Sequence, residues 1–173
     1  MTAKLRRPAT EAEARALASA LRLRIIRLCH DRSLTNRELS RLLDVKPATL
    51  LHHVRKLVDT GFLVAEPVRR GPRGSREVPY RSTGKSWTLD VREHAEPSRA
   101  LLDVYLQEVE LVDLNESYIA RLGLRLTEQE RAEVIRRFSD LLDEIASRPA
   151  SPESRAYSLF VNLYADVTRD AAG

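Results

Sequence analysis

The chain has almost none of the residues that support sulfur or cluster chemistry. Cys29 is the one cysteine in 173 residues, which excludes an intrachain disulfide and any cysteine-rich zinc or iron–sulfur centre within a single chain. Its setting, ALRLRIIRLCHD, suits a small apolar residue packed inside a helix. No hydrophobic run approaches the length of a membrane span, and charges recur through the first twenty residues where a secretory signal would be apolar. The expectation is a cytoplasmic protein. A glycine-rich phosphate cradle, a paired-carboxylate site and a nucleophile constellation are also missing, so an enzyme is not expected.

Charge is plentiful but unevenly placed. The formal net charge is +4, yet residues 1–85 hold 19 basic and 8 acidic side chains while residues 86–173 hold 10 and 17. A basic front half is drawn to phosphates and an acidic back half is not, the pattern of a polyanion-binding module joined to a dimerising or regulatory one.

Residues 1–13 read as a flexible basic arm. Leu17, Leu21, Ile25 and Leu28 recur at helical spacing and predict one helix over residues 14–30, with Arg15, Arg22 and Arg24 on its more exposed side. In SLTNRELSRLLD, Thr35 and Glu38 form a capping box that opens a short helix with Leu39, Leu42 and Leu43 on its apolar side. Pro47 starts the next helix at the position that tolerates it, and Gly61 ends it. Leu50, Val54 and Leu57 face the core. At 100° per residue Ala48, Thr49, His52, Arg55 and Lys56 fall on the outer face or its flank.

Residues 62–65 predict a strand, and PVRRGPRGSRE followed by VPYRS predicts a hairpin around Gly71, Pro72 and Gly74. Pro79 favours an edge strand. Beyond Lys85 the expected texture is helical: a helix over residues 97–122, a second from the Thr127–Glu130 capping box to residue 146, and a third over 152–168. The expected fold is therefore mainly α with a small β-hairpin wing. It comprises a winged helix-turn-helix domain (residues 14–85) and a C-terminal helical dimerisation and effector-binding region (residues 86–173).

A helix of this kind can enter a DNA major groove while its predecessor crosses outside. Ala48, Thr49, His52 and Arg55 are the base-reading candidates. Lys46, Lys56, Arg69, Arg70, Arg73 and Arg76 are candidates for phosphate or minor-groove contact. The adjacent His52 and His53 lack the four-residue spacing of a helical metal pair, and His94 near Asp90, Glu93 and Glu96 reads as a solvated junction. No metal or cofactor is expected. Tyr105, Tyr118, Phe160 and Tyr164 are candidates for a dimer seam or an apolar effector pocket, with packing inside one chain as the alternative.

The stretch LTNRELSRLLDVKPATLLHHVRKLVDTGFLV, followed by VRRGPRGSREVPYRST, resembles the winged helix-turn-helix domain of ArsR-type bacterial regulators over roughly residues 14–85. Val45 matches that family's apolar turn position, Leu50 and Val54 its buried helix positions, His53 its frequent histidine and Gly61 its helix-ending glycine. Leu51 departs from the frequent serine, so no DNA contact is carried over there. The metal-sensing patterns of that family, a cysteine pair near the recognition helix or Asp, His and Glu ligands on a later helix, are not matched. The resemblance implies a homodimeric repressor of an inverted-repeat operator, with a small molecule or protein partner as inducer. The alternatives are a winged-helix protein-interaction module and a non-specific architectural DNA-binding protein.

Overall fold

The structure, a computed structural model, describes residues 6–149, 151 and 153–170. It divides into two compact units, one ending at Leu111 and the other starting at Val112. The boundary expected after residue 85 is thus moved. The helix that follows His94 packs against the first two helices of the first unit.

In the first unit the chain runs β1 (Arg7–Pro8), α1 (Glu11–Leu17), α2 (Ala20–Leu28), β2 (Leu34–Thr35), α3 (Asn36–Leu43), α4 (Pro47–Asp59), β3 (Leu63–Ala65), β4 (Arg69–Arg70), β5 (Arg76–Glu77), β6 (Pro79–Ser82), β7 (Leu89–Asp90) and α5 (Ala95–Val109). Within the expected arm, residues 7–8 form a strand and Glu11 starts a helix. β1 pairs in parallel with β7, and Thr10 caps α1 by accepting from the Glu13 amide at 3.3 Å while the Glu13 carboxylate accepts from the Thr10 amide at 2.9 Å. This capping box escapes a search keyed to apolar periodicity, because Ala14 and Ala16 supply much of the buried face. The single helix expected over 14–30 is two, separated where Ser19 takes an extended backbone.

The sheet has the order β2-β6-β3, antiparallel throughout. Pro79 therefore lies in the central strand and not at an edge. It is tolerated because it is the strand's first residue: it lies opposite Thr35, and its carbonyl accepts from the Glu66 amide at 2.8 Å. Beneath this sheet Ile25, Cys29, Leu39, Leu50, Val54, Leu57, Phe62 and Leu63 form a buried cluster. Burial pushes the Cys29 thiol up to about 11, which suppresses thiolate chemistry there. Leu42, expected in the core, is half exposed. α5 lies against α1 and α2, burying Ala100 and Val104.

The second unit contains α6 (Glu128–Ala146) and the short α7 (Val167–Asp170). α6 begins at the expected capping box, with the Thr127 hydroxyl accepting from the Glu130 amide at 3.3 Å. The other two expected helices fail in instructive ways. The helix expected to reach residue 122 ends at Val109, and residues 118–126 form neither helix nor strand. Of the described residues in the helix expected over 152–168, those before Val167 are not helical. In ARLGLRL, leucines at 122, 124 and 126 alternate with Arg121, Gly123 and Arg125, a period of two that a helix would scatter around its axis.

Candidate nucleic-acid interface

The turn between α3 and α4 is built from side chains that hold it at several points. Asp44 ends α3 in the left-handed region, at φ 52°, where a short polar residue is better tolerated than a branched one. The Ser40 hydroxyl donates to the Val45 carbonyl at 2.6 Å, and the Asn36 amide donates to the Pro47 carbonyl at 2.9 Å. The start of α3 is thus tied to the first turn of α4. Neither Asn36 nor Ser40 stands out by residue type in the sequence, since both are common at helix starts and on solvated faces.

Leu50, Val54 and Leu57 are fully buried, so the rotation of α4 is fixed and its opposite side faces solvent. Lys46, Ala48, Thr49, His52 and Arg55 are exposed there, with Lys56 half-buried on the flank. Gly61 follows in the left-handed region at φ 73°, turning the chain into β3. His53 points to the flank, where Arg22 Nη1 comes within 3.4 Å of its Nδ1. Burial, then the charges of Arg22 and His52, hold the His53 imidazole below its ordinary value. A neutral ring accepting from Arg22 results, and the Arg22 guanidinium also donates to the Ala16 and Arg15 carbonyls at 2.6 Å. Arg22 is therefore a strut between α1 and α4 and is half-buried, against the expectation of an exposed residue.

In the wing, β4 and β5 pair antiparallel with Arg69 opposite Glu77 and Arg70 opposite Arg76. The hairpin closes through a single turn at Pro72–Gly74, with Gly74 at φ 76°. The Arg73 side chain, expected at phosphate or the minor groove, lies outside the described residues. Two crossed ion pairs pin the wing to α3: Arg69 to Glu38 at 2.6 Å and Arg37 to Glu77 at 3.7 Å. The Thr35 amide, then its hydroxyl and Arg69, hold the Glu38 carboxyl below its ordinary value. The carboxylate of the capping box thus also orients the wing.

Arg69 is in this way separated from Arg70 and Arg76, which sit directly across from each other and are both exposed. Among the described residues these two have no ion-pair partner, and neither do Lys46, Arg55 and Lys56. Like charges facing across a strand pair are unfavourable, and a polyanion relieves that repulsion. Arg69→Ala is expected to leave the fold intact and cost at most about 1 kcal/mol of stability, because exposed ion pairs contribute little. Its mark should be a more mobile wing, seen as faster amide hydrogen exchange at β4 and β5 with unchanged protection in α4.

Among the described residues no group of three or more His, Cys, Asp or Glu side chains gathers as a metal site. His94 is held at the start of α5, with Nε2 at 3.4 Å from the Ala9 carbonyl and Nδ1 at 3.9 Å from Glu11. Of the four aromatic candidates, Tyr105 belongs to α5 of the first unit, and in the second unit Tyr164 lines a groove of about 830 Å³, where Arg121, Arg125, Arg131 and Arg169 give the walls a cationic character.

Residues 17–70 match the family described as "Helix-turn-helix domain". No curated protein matches the chain. Among solved structures, a Thermoplasma acidophilum protein described as a transcriptional regulator is 20% identical, with 54% of this chain and 96% of that one covered and a TM-score of 0.39. Reduced HlyU from Vibrio cholerae is 23% identical over 55% of this chain and 84% of its own, at a TM-score of 0.33. AdcR from Streptococcus pyogenes, an adhesin competence repressor, is 16% identical over 74% and 81%, at 0.34. The helix-turn-helix match over residues 17–70, the α3–α4 turn and the β4–β5 hairpin together give this part of the chain a winged helix-turn-helix fold.

Proposed function

We propose that the protein is a sequence-specific regulator of transcription that binds double-stranded DNA as a homodimer and represses from an inverted-repeat operator. The observation that carries this reading is the division of labour among the cations. Arg22, Arg37 and Arg69 are engaged in holding the fold, whereas among the described residues Lys46, Arg55, Lys56, Arg70 and Arg76, on α4 and the wing, are left without ion-pair partners. These five side chains lie where a helix in the major groove and a wing beside it would meet base edges and phosphates.

Within this reading α4 is the recognition helix. Ala48 permits close approach, Thr49 and His52 offer hydroxyl and imidazole to base edges, and Arg55 can donate two bonds to guanine. Arg70 and Arg76 neutralise phosphates, as does Lys46. An ArsR-type mode, with release by a small molecule or protein partner, is the finer form of the same proposal, supported by the matches at Val45, Leu50, Val54, His53 and Gly61.

Selection of bound fragments from a random double-stranded DNA library tests it, followed by affinity measurements at two salt concentrations. Recovery of an inverted repeat is the expected outcome; weak, sequence-indifferent binding that vanishes with modest salt would instead assign an architectural role, and no duplex binding would assign a protein partner. On the selected site Arg55→Ala should cost about 1–3 kcal/mol against the preferred base and flatten preference at one position of each half-site. Arg76→Ala should weaken all sequences together and lower the salt dependence by about one ion. A uniform loss for Arg55→Ala would place that side chain on phosphate.

A further inference from the structure

From Val112 onward, not one described residue is buried. α6 is a 19-residue helix with no buried side chain, although Val134, Ile135, Phe138, Leu141, Leu142 and Ile145 recur along it at helical spacing. Phe138, Leu141 and Ile145 are each more than 40% exposed. An amphipathic helix gains its stability from covering such a stripe, and a segment of this length without any core needs another surface.

Residues 118–126 show the same deficit. They form no helix, strand, turn or bend, Tyr118 is 96% exposed and Leu122 77%, and no hydrogen bond reaches their backbone among the described residues. In a strand Tyr118, Ala120, Leu122, Leu124 and Leu126 would share one face, with Arg121 and Arg125 on the other. Ala120–Leu126 and Asn162–Asp166 stand on the walls of the open groove and are not joined by a ladder. A long, apolar segment with an unpaired backbone is a template for another strand.

We propose that residues 118–126 pair antiparallel with the same residues of a second copy about a twofold axis at Leu122, and that this ribbon is the seam of the dimer, with the apolar stripe of α6 covering its leucine face. The charge pattern, with pairing of the whole segment, selects the register. Pairing must keep the leucine faces on one side. Centred on Arg121 the ribbon sets Arg121 against itself, and centred on Gly123 it sets Arg121 against Arg125, both unfavourable. Centred on Leu122, the whole segment pairs: Tyr118 meets Leu126, Ile119 meets Arg125, Ala120 meets Leu124, Arg121 meets Gly123 and Leu122 meets itself. No arginine faces another. Self-complementarity of this kind is what an isologous twofold contact requires.

The inference deepens the homodimer of the proposed function and rests on that reading, so the seam is tested by readouts that do not depend on DNA. In a Cys29→Ala background, Leu122→Cys treated with oxidised glutathione should give mostly covalent dimer. Ile119→Cys alone and Arg125→Cys alone should remain single chains, while a mixture of the two should cross-link between copies. Sedimentation of the unmodified chain, which requires no variant to fold, should show a dimer at micromolar concentration. A monomer there overturns the proposal, as does a dimer in which Leu122→Cys fails to cross-link. A monomer-sized disulfide in Leu122→Cys/Val161→Cys also overturns it, by showing that the two segments pair within one chain. Loss of DNA binding with the residue-122 cross-link intact would remove the operator reading and leave the seam standing.

Discussion

Leu50→Ala is expected to lower the free energy of unfolding by about 3–4 kcal/mol, measured by urea denaturation. Leu50 is completely buried in α4 and packs in the cluster that includes Val54, Leu57 and Phe62. Truncation removes apolar contact area and leaves a cavity that a core bounded by two helices and a sheet closes only in part, and buried Leu→Ala changes generally cost about 2.7–5 kcal/mol. The consequence for function is specific, because Leu50 lies on the face of α4 opposite His52 and Arg55. Under conditions where the variant remains folded, it should bind the selected DNA more weakly through a less firmly seated helix, with base preference unchanged. A shift in preferred sequence on Leu50→Ala would show that the buried face also sets the angle at which α4 enters the groove.

The contrast with Arg55→Ala separates two kinds of information that one helix carries. The buried residues of α4 were legible from spacing alone, since three apolar positions at four- and three-residue intervals define a direction. The outer face followed by exclusion. The Thr35–Glu38 and Thr127–Glu130 boxes, Pro47 at a helix start and Gly61 at a helix end were equally legible, because each is a local device whose geometry depends on few neighbours. What the sequence did not reveal depends on contacts distant along the chain. Arg69 and Arg70 are adjacent and chemically alike, yet one is bound to Glu38 and the other faces Arg76. Only the register of the wing distinguishes them.

The C-terminal misreading has a different physical cause. Residues 118–126 and 157–165 carry enough leucine, tyrosine and valine to fill one side of a helix, and composition alone does not separate a helix stripe from a strand face. Period does: Leu122, Leu124 and Leu126 repeat every second residue, which places them at 200° intervals on a helix and on one side of a strand. The region around Glu11 was missed for the opposite reason. α1 is short and alanine-rich, and its stability comes from a carboxylate that the chain holds among three partners.

That carboxylate, Glu13, supports the second large expected effect. It is buried, Arg7 donates to it at 2.6 and 2.9 Å, Lys85 lies at 2.7 Å, and the Thr10 amide donates at 2.9 Å. Lys85 in turn donates to the Thr60 carbonyl at 2.6 Å and lies 5.3 Å from the centre of the Phe62 ring. One side chain thereby links the start of α1 to the chain leaving α4. Hydrogen bonds from Arg7, then from Lys85 and the Thr10 amide, outweigh the cost of burial and hold the Glu13 carboxyl far below its ordinary value. Glu13→Gln keeps the shape and one acceptor oxygen but leaves the Lys85 ammonium without its counter-charge. A loss of about 2–3 kcal/mol near neutral pH is expected, below the full range for a broken buried pair because Arg7 is half exposed. The sign of the pH dependence follows from the depressed value. The unfolded chain takes up a proton at Glu13 near pH 4.3 and the folded chain only at much lower pH. The advantage of the natural chain over Glu13→Gln should therefore be constant above about pH 5 and shrink steadily as pH falls below about 4. Urea melts of both proteins between pH 7 and pH 3 provide the check. A difference that does not change with pH would mean that Glu13 acts through packing and its neutral hydrogen bonds, and that the ion pairs with Arg7 and Lys85 contribute nothing to holding α1 in place.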